Sequence, residues 1–423
     1  MGAVRGGVAV IDISPPHGLL LSGFAARSEP ATGLHDPLTV RAVVLGDTAI
    51  VVADVIGIHE DMSCRIRERC SLPAANVIVA ATHTHGAPSS MAGRLGGADS
   101  EFLKALEDGC VAAINSALAG AEVVTISAGN GPDPDVGHNR RHVGGTVDSA
   151  LPVVRLQRVD GSLLAMVVSY ACHPTVLGAD NRLMTADFPH FLRSRIEADQ
   201  PGAVAVFVNG CTGDVNIGHT AQASWTLAAQ DTRTFENARR LGERIADAAL
   251  AASCAPMSTE VAAAEAWVDL QLEQREGDLA DAAEDWRAEA QTAEPLRRIL
   301  LEYWIGWAEA NAGRPPGNWT GRVSLLDWGG MPIVALPGEI FAETSLAIRR
   351  AMPVGPAMVM SYADGTPGYI PPASEYQFGG YEVDEAHRFI GLLGAFASGS
   401  AERLVDAATA LLSTHYKSVD QQK

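Results

Sequence analysis

The chain has 423 residues, 47% of them apolar, with 31 Lys+Arg against 50 Asp+Glu and a formal net charge of −19. That length and apolar share support a sizeable packed core, while the acidic balance excludes nucleic acid and anionic membrane surfaces as favourable partners. No stretch approaches the roughly 18–20 uninterrupted apolar residues of a membrane span, so no stable membrane insertion is expected. Six scattered cysteines, none in a CxxC pair, read as buried thiols rather than a disulfide framework.

The opening "MGAVRGGVAVIDISPPHG" reads as a strand followed by a Pro-Pro turn, not as a leader with a cleavage site. A soluble, cytoplasmic protein is the expectation. Strand-like apolar runs follow at 38–46, 49–57 and 76–82, then a helix at 101–119 and a strand at 122–129. "PVVRLQRV" and "LAMVVSYACH" flank a turn at 160–162 and predict a hairpin. "FPHFLRSRIEA" predicts a helix, "AVAVFVNG" a buried strand, and 232–254 an amphipathic helix. From about 256 to 313 Ala, Glu, Leu and Arg dominate, which predicts a helical hairpin inserted between sheet elements. "GRVSLLDWGGMPIVALPGE" resumes the sheet pattern; a helix (340–351), a strand (357–362), a Tyr/Pro/Gly loop (363–383) and a last helix (384–414) close the chain. The expected fold class is α/β: one domain over 1–423, a mixed sheet flanked by helices, with the helical excursion inside it.

Three places combine a buried strand with a metal-binding side chain just past its end. In "NVIVAATHTHG", His83 and His85 stand at i and i+2, so an extended backbone projects both to one side. In "VVSYACHPTVLG", His173 has the same setting. In "PIVALPGEIFAE", Glu339 follows Pro337-Gly338 and opens a helix; a carboxylate favoured at a helix N-terminus is the plainer explanation. Ligands in α/β proteins gather at the carboxyl ends of strands, and two imidazoles with one carboxylate form a ligand set for catalytic zinc. Three loops read as substrate-handling. "DVGHNRR" carries Asn139 and Arg140, "FVNGCTGDVNIG" is suited to presenting backbone N–H groups, and the last loop holds Tyr362, Tyr369, Tyr376 and Tyr381.

The order of these motifs resembles the neutral/alkaline (non-lysosomal) ceramidase family. The resemblance runs from "GVAVIDISPPHGLLLSGFAAR" through "ATHTHGAP", "GHNRR", "ACHPT", "NGCTGDVN" and "LPGEIF" to "GYIPPASEY" and "GGYEV", about 7–383. It implies a zinc-dependent amidase with one Zn2+ per chain, held by His83, His173, Glu339 and Tyr369. It also implies His85 and Arg140 as catalytic and oxyanion-facing groups, and Tyr381 as a second active-site tyrosine. Asn216 stands where the family's Gly-Asp-Val-Ser-Pro-Asn stretch has serine, which makes it a substrate-binding candidate and favours metal-activated water over a serine acyl-enzyme. No counterpart of the family's C-terminal immunoglobulin-like domain is expected.

The implied partner is a small-molecule N-acyl amide, lipidic in character. Three rival readings share these residues. One is an ester, lactam or lactone hydrolase; another is a non-catalytic metal-binding relative. The third is a di-metal phosphoesterase drawing on Asp54 and Asp187. The helical excursion, with Trp286, Tyr303, Trp304 and Trp307, lines a lipid channel, packs as core, or serves as a dimer interface or a lid.

Overall fold

The computed structural model describes residues 4–16, 18–91 and 97–420. Strands β1 (Val4–Asp12), β2 (Thr39–Leu45) and β3 (Thr48–Ala53) pair antiparallel in sequence. After helix α1 (Glu60–Arg69), β4 (Val77–Ala81) adds parallel to β3. Helix α2 (Ser100–Ala119) leads to β5 (Glu122–Gly131), β6 (Leu151–Arg158) and β7 (Leu163–Tyr170), again antiparallel. After α3 (Phe188–Asp199), β8 (Val204–Asn209) adds parallel to β7. Helix α4 (Phe235–Leu250) and β9 (Ser253–Pro256) complete a nine-stranded mixed sheet of order β8-β7-β6-β5-β1-β2-β3-β4, with β9 on β5.

A second, five-stranded sheet is stacked on the first. Its long strands β10 (Val261–Glu273) and β11 (Asn318–Trp328) pair antiparallel from Val261↔Trp328 to Gln271↔Asn318. The helical hairpin is the connection between them, α5 (Leu279–Ala290) and α6 (Pro295–Asn311). The excursion predicted from 256 is therefore helical only from 279. In β10, Val268, Leu270 and Leu272 are buried while Asp269, Gln271 and Glu273 are exposed, the period of a half-buried strand. β12 (Pro332–Ala335) follows, then the two-residue strand β13 (Glu339–Ile340), helix α7 (Ala342–Arg349) and β14 (Met358–Met360). Glu339 thus lies in a strand and the helix begins at Ala342, which removes the helix-terminus explanation for its charge. β15 (Tyr369–Ile370) pairs parallel with β13, and the second sheet has the order β14-β12-β11-β10-β16, where β16 is Ala395–Phe396. The last predicted helix is split: α8 (Ala386–Ile390) stops at Gly391, whose φ of 75° is left-handed, and α9 (Ser400–Asp420) starts beyond β16.

Side-chain alternation assigns the layers. Val43, Leu45, Ile50 and Val52 face Trp328, Ile333 and Met358 of the second sheet. Val40, Ala42, Val44 and Val51 face the other way, among residues of α1 and α2. Strands buried on both faces read as unbroken apolar runs, as these do. Farther along the same sheet Val153, Met166 and Phe207 pack on α3 and α4. Leu404, Ala408 and Leu412, one face of α9, cover the outer side of the second sheet. The result is four layers: helices, large sheet, smaller sheet, helix.

What positions the site is the meeting of β4 and β8, the two ends of the large sheet. The Asn209 amide at the end of β8 donates to the Thr82 carbonyl just past β4 at 3.2 Å. The segment 361–364, leaving β14 of the other sheet, bridges both: Ser361 N–H donates to Asn209 O, and Asp364 N–H to Val79 O. Edge groups that would otherwise lie open are thereby paired. Among the described residues, no helix is long and apolar enough to cross a membrane.

Candidate active site

His83 and His173 leave β4 and β7, and both are buried with Glu339. Their Nε2 atoms each lie 3.3 Å from the same carboxylate oxygen, Glu339 Oε2. That distance is within ion-pair range, yet neither His173 Nε2 nor Glu339 Oε2 has a partner of hydrogen-bond geometry. Buried polar atoms that converge without bonding one another point to a shared cation. The far side of each ring agrees. His83 Nδ1 meets the Ile56 carbonyl, and His173 Nδ1 donates to the Thr212 carbonyl at 2.7 Å. Such bonds fix the tautomer with the Nε2 lone pair facing inward, as in metal-ligating histidines. Burial pulls His173 down to about 4, so its imidazole is neutral at pH 7.

His85 is different. Its Nε2 is 3.4 Å from His83 Nε2, and the ligand atoms of His83, His85 and His173 all fall within 4.8 Å of one another. Its Nδ1, however, is buried and has no partner. Burial, then the neighbouring His83 and His173, keep it well below its ordinary range. The ring leans on Phe24, centroids 4.8 Å apart, and the Arg27 guanidinium donates to the His85 carbonyl at 2.9 Å. Neither contact fixes its tautomer.

Beside Glu339 stands a second group. Tyr369 is paired in register with Glu339, and its hydroxyl accepts from Arg140 Nη2 at 2.9 Å. Arg140 Nε donates to Glu382 Oε1 at 2.9 Å. Burial raises the Tyr369 phenol well above its ordinary value despite the Arg140 charge, so it keeps its proton. Tyr381 packs on Tyr369 at 5.8 Å between centroids. Arg141 extends the lattice to Glu375 (2.8 Å) and Glu382 (2.5 Å), tying the 139–142 loop to the 369–382 loop.

These residues line one cavity. Its floor holds His83, His85, Arg140, Glu339, Tyr369 and Tyr381, and its walls carry Ala25, Ile56, Met91, Trp225, Phe389 and Ile390. His173 stands behind that floor. Asn216 reaches the wall, but its amide is engaged by its own turn, donating to His219 O and accepting from Gly218 N and His219 N. The extra ligands that a di-metal site would need are committed elsewhere. Asp54 takes a two-point contact from Arg193, at 2.8 and 2.9 Å, and Asp187 caps α3. Trp286, Tyr303, Trp304 and Trp307 do not line the cavity; Tyr303 and Trp304 back Phe389, which does. Sequence reasoning missed Glu382, Thr212, Phe24 and Trp225, whose roles come from contacts distant in sequence and which no local pattern marks.

The family model for the neutral/alkaline non-lysosomal ceramidase N-terminal region matches residues 5–295. The chain belongs to this family. Among individual ceramidases, the neutral ceramidase of Drosophila melanogaster is 24% identical over 303 residues, 58% of this chain and 43% of that protein. The chain thus matches less than half the length of that curated relative. The crystal structure of neutral ceramidase from Pseudomonas aeruginosa superposes with a TM-score of 0.74 at 18% identity, covering 97% of this chain and 75% of the other. A ceramidase complexed with C2 gives 0.73 at 18%, covering 96% and 75%. At that identity the likeness establishes the shared ceramidase fold, and the four layers described above are that fold.

Proposed function

We propose that the protein is a zinc-dependent amidohydrolase that cleaves an N-acyl amide bond, with an acyl or amine part that is apolar. The observation that carries this reading is the convergence of His83 Nε2 and His173 Nε2 on Glu339 Oε2 at the floor of an apolar-walled cavity. Family membership supports the reaction class. The donor set fits zinc: two imidazoles whose Nδ1 contacts fix their tautomers, and one carboxylate. Tyr369, beside Glu339, is the further ligand proposed. A bound zinc would supply Lewis acidity and a water acidified toward pKa ~7.

The chain's own groups divide the remaining work. Arg140 and the protonated Tyr369 present a charge and an O–H donor to the cavity. Donors fixed in advance stabilise an oxyanion that develops only in the transition state. Tyr381 completes that group. His85, neutral and unpartnered at Nδ1, takes up the proton released by the attacking water and returns it to the leaving amine. Trp225, Phe389 and Ile390 exclude water from the apolar portion of the substrate, and Asn216 shapes the wall through its turn.

The test is hydrolysis profiling of the zinc-loaded protein across N-acyl amides of graded chain length, with esters, lactams and lactones as comparison. His83→Ala and Glu339→Ala should lose both bound zinc and hydrolysis. Retention of both in either variant would show that the site is wrongly placed. A metal-loaded protein inert on the whole panel would favour a binding role.

A further inference from the structure

Tyr362 is fully buried and touches the supports of all three converging groups. Its ring stacks on the His83 imidazole, with centroids 4.1 Å apart and planes 22° from parallel. Its hydroxyl hydrogen-bonds Thr212 Oγ1 at 2.6 Å, and the Thr212 carbonyl is the acceptor for His173 Nδ1–H. Its backbone N–H donates to the carbonyl of Gly338, the residue preceding Glu339, at 3.1 Å. Its own carbonyl accepts from Ala81 N–H, at the end of the strand that delivers His83.

The backbone at this contact is unusual. Tyr362 has φ 57° and His83 has φ 66°, the left-handed region that bulky residues rarely occupy. Both members of the stacked pair are held there. Non-glycine residues stay in that region only where the surroundings over-determine them, and such sites cluster at functional centres.

We propose that Tyr362 is a positioning residue that sets the common geometry of His83, His173 and Glu339 toward a bound metal. The inference rests on the metal site proposed above. The stack fixes the plane of the His83 ring, while the Nδ1 contact to Ile56 fixes its rotation; together they aim Nε2. The hydroxyl orients Thr212, and through the Thr212 carbonyl it aims His173. The bond to Gly338 holds the turn that places Glu339. Tyr362 is not itself a ligand: its hydroxyl is bonded to Thr212 and it does not line the cavity. In this it differs from Tyr369, whose hydroxyl accepts from Arg140 at the cavity floor.

The experiment measures zinc affinity by chelator competition, and the visible spectrum of the Co2+-substituted protein, for wild type, Tyr362→Phe and Tyr362→Leu. Outer partners of metal ligands typically contribute 10- to 100-fold in affinity. Tyr362→Leu, which loses stack and hydroxyl, should bind at the far end of that range with a changed Co2+ spectrum. Tyr362→Phe keeps the stack and should fall about tenfold. Wild-type affinity and spectrum in the leucine variant overturn the inference while leaving the functional reading intact. A wild-type protein that takes up no metal removes both. Thermal melts of the metal-free proteins identify a leucine variant that fails to fold; the phenylalanine variant then decides, and an unchanged affinity and spectrum there overturns the inference.

Discussion

Replacing Arg140 by methionine removes a buried positive charge from the cavity while leaving its carboxylate partner held. Arg140 reaches Glu382 Oε1 through both Nε and Nη2, and Tyr369 Oη through Nη2, each at 2.9 Å. Glu382 keeps its bond from Arg141 Nη1 at 2.5 Å, so no carboxylate is left buried and unpaired. The stability loss should therefore stay below the ~3–5 kcal/mol of a broken buried pair, at about 1–3 kcal/mol for the lost charged hydrogen bonds. The kinetic loss should be larger. Removing one preorganised oxyanion donor costs about 10²–10³ in kcat, or ~2.7–4 kcal/mol. Because that charge acts on the transition state, kcat should carry the loss and KM should change little. Arg140→Lys should recover only part of it, since one ammonium cannot span Glu382 and Tyr369 as a planar guanidinium does. Steady-state hydrolysis of the best N-acyl amide, paired with thermal melting, reads both quantities. A raised KM with kcat within about threefold of wild type would refute the oxyanion role and reduce Arg140 to a substrate-binding group.

The other expectations concern stability, His85 and the metal. In the Glu276, His387 and Arg388 cluster that anchors the helical hairpin, burial opposes ionisation of Glu276, but His387 and Arg388 outweigh it and bring the carboxyl from 4.5 down to about 2. A depressed carboxylate stabilises the fold above its unfolded pKa, so this contribution, on the order of 2 kcal/mol, is present above pH 4.5 and is lost as pH falls toward 2. Melting curves of wild type and Glu276→Gln should converge across that window, and a constant gap would count against the assignment. At Gly23, φ is 98° and an added Cβ would stand 2.4 Å from the His85 ring. Gly23→Ala should lower kcat by roughly 10²-fold through a displaced His85 while zinc content is preserved, because His83 and His173 are held elsewhere; loss of zinc in that variant would make His85 a ligand instead. Chelation should lower the melting temperature, by the equivalent of about 4 kcal/mol when zinc had been present at ~1,000 times its Kd; superimposable melts would argue against a folded-state metal site.

How much of this was visible in the chain follows from the range of each contact. His83, His173 and Glu339 were legible because each lies just past a buried apolar run, and His85 because it stands at i+2 from His83, patterns of a few residues. The helical hairpin was legible in kind but not in extent. Ala262, Ala263, Ala264 and Ala266 gave β10 a helix-like composition and hid the alternation of Val268, Leu270 and Leu272. Tertiary pairing with β11 overrode that local preference. Local sequence shows Arg140 as a loop arginine, because Glu382 and Tyr369 lie more than two hundred residues away; the order of motifs is what marked it as oxyanion-facing. Tyr362 was one tyrosine among four in a loop, and nothing in the local spacing distinguishes it from Tyr376, whose hydroxyl caps the Phe396 carbonyl.

The placement of the site explains why so many separate segments supply it. A large mixed sheet has two edges, and open edges are a liability that must be covered. Here β4 and β8 are brought together at the Asn209 to Thr82 bond, and the 361–364 segment of the second sheet closes the gap. Asp364 secures that closure, accepting from Arg322 Nη1 at 2.6 Å and Ser63 Oγ at 2.7 Å, with all three residues buried. His83 comes from one edge, the Thr212 carbonyl that aims His173 from the other, and Tyr362 from the closing segment. Glu339 follows the strand beside it. The ligand geometry therefore exists only when both sheets are docked. A site assembled this way is rigid in proportion to the core around it, which is what preorganised catalysis requires.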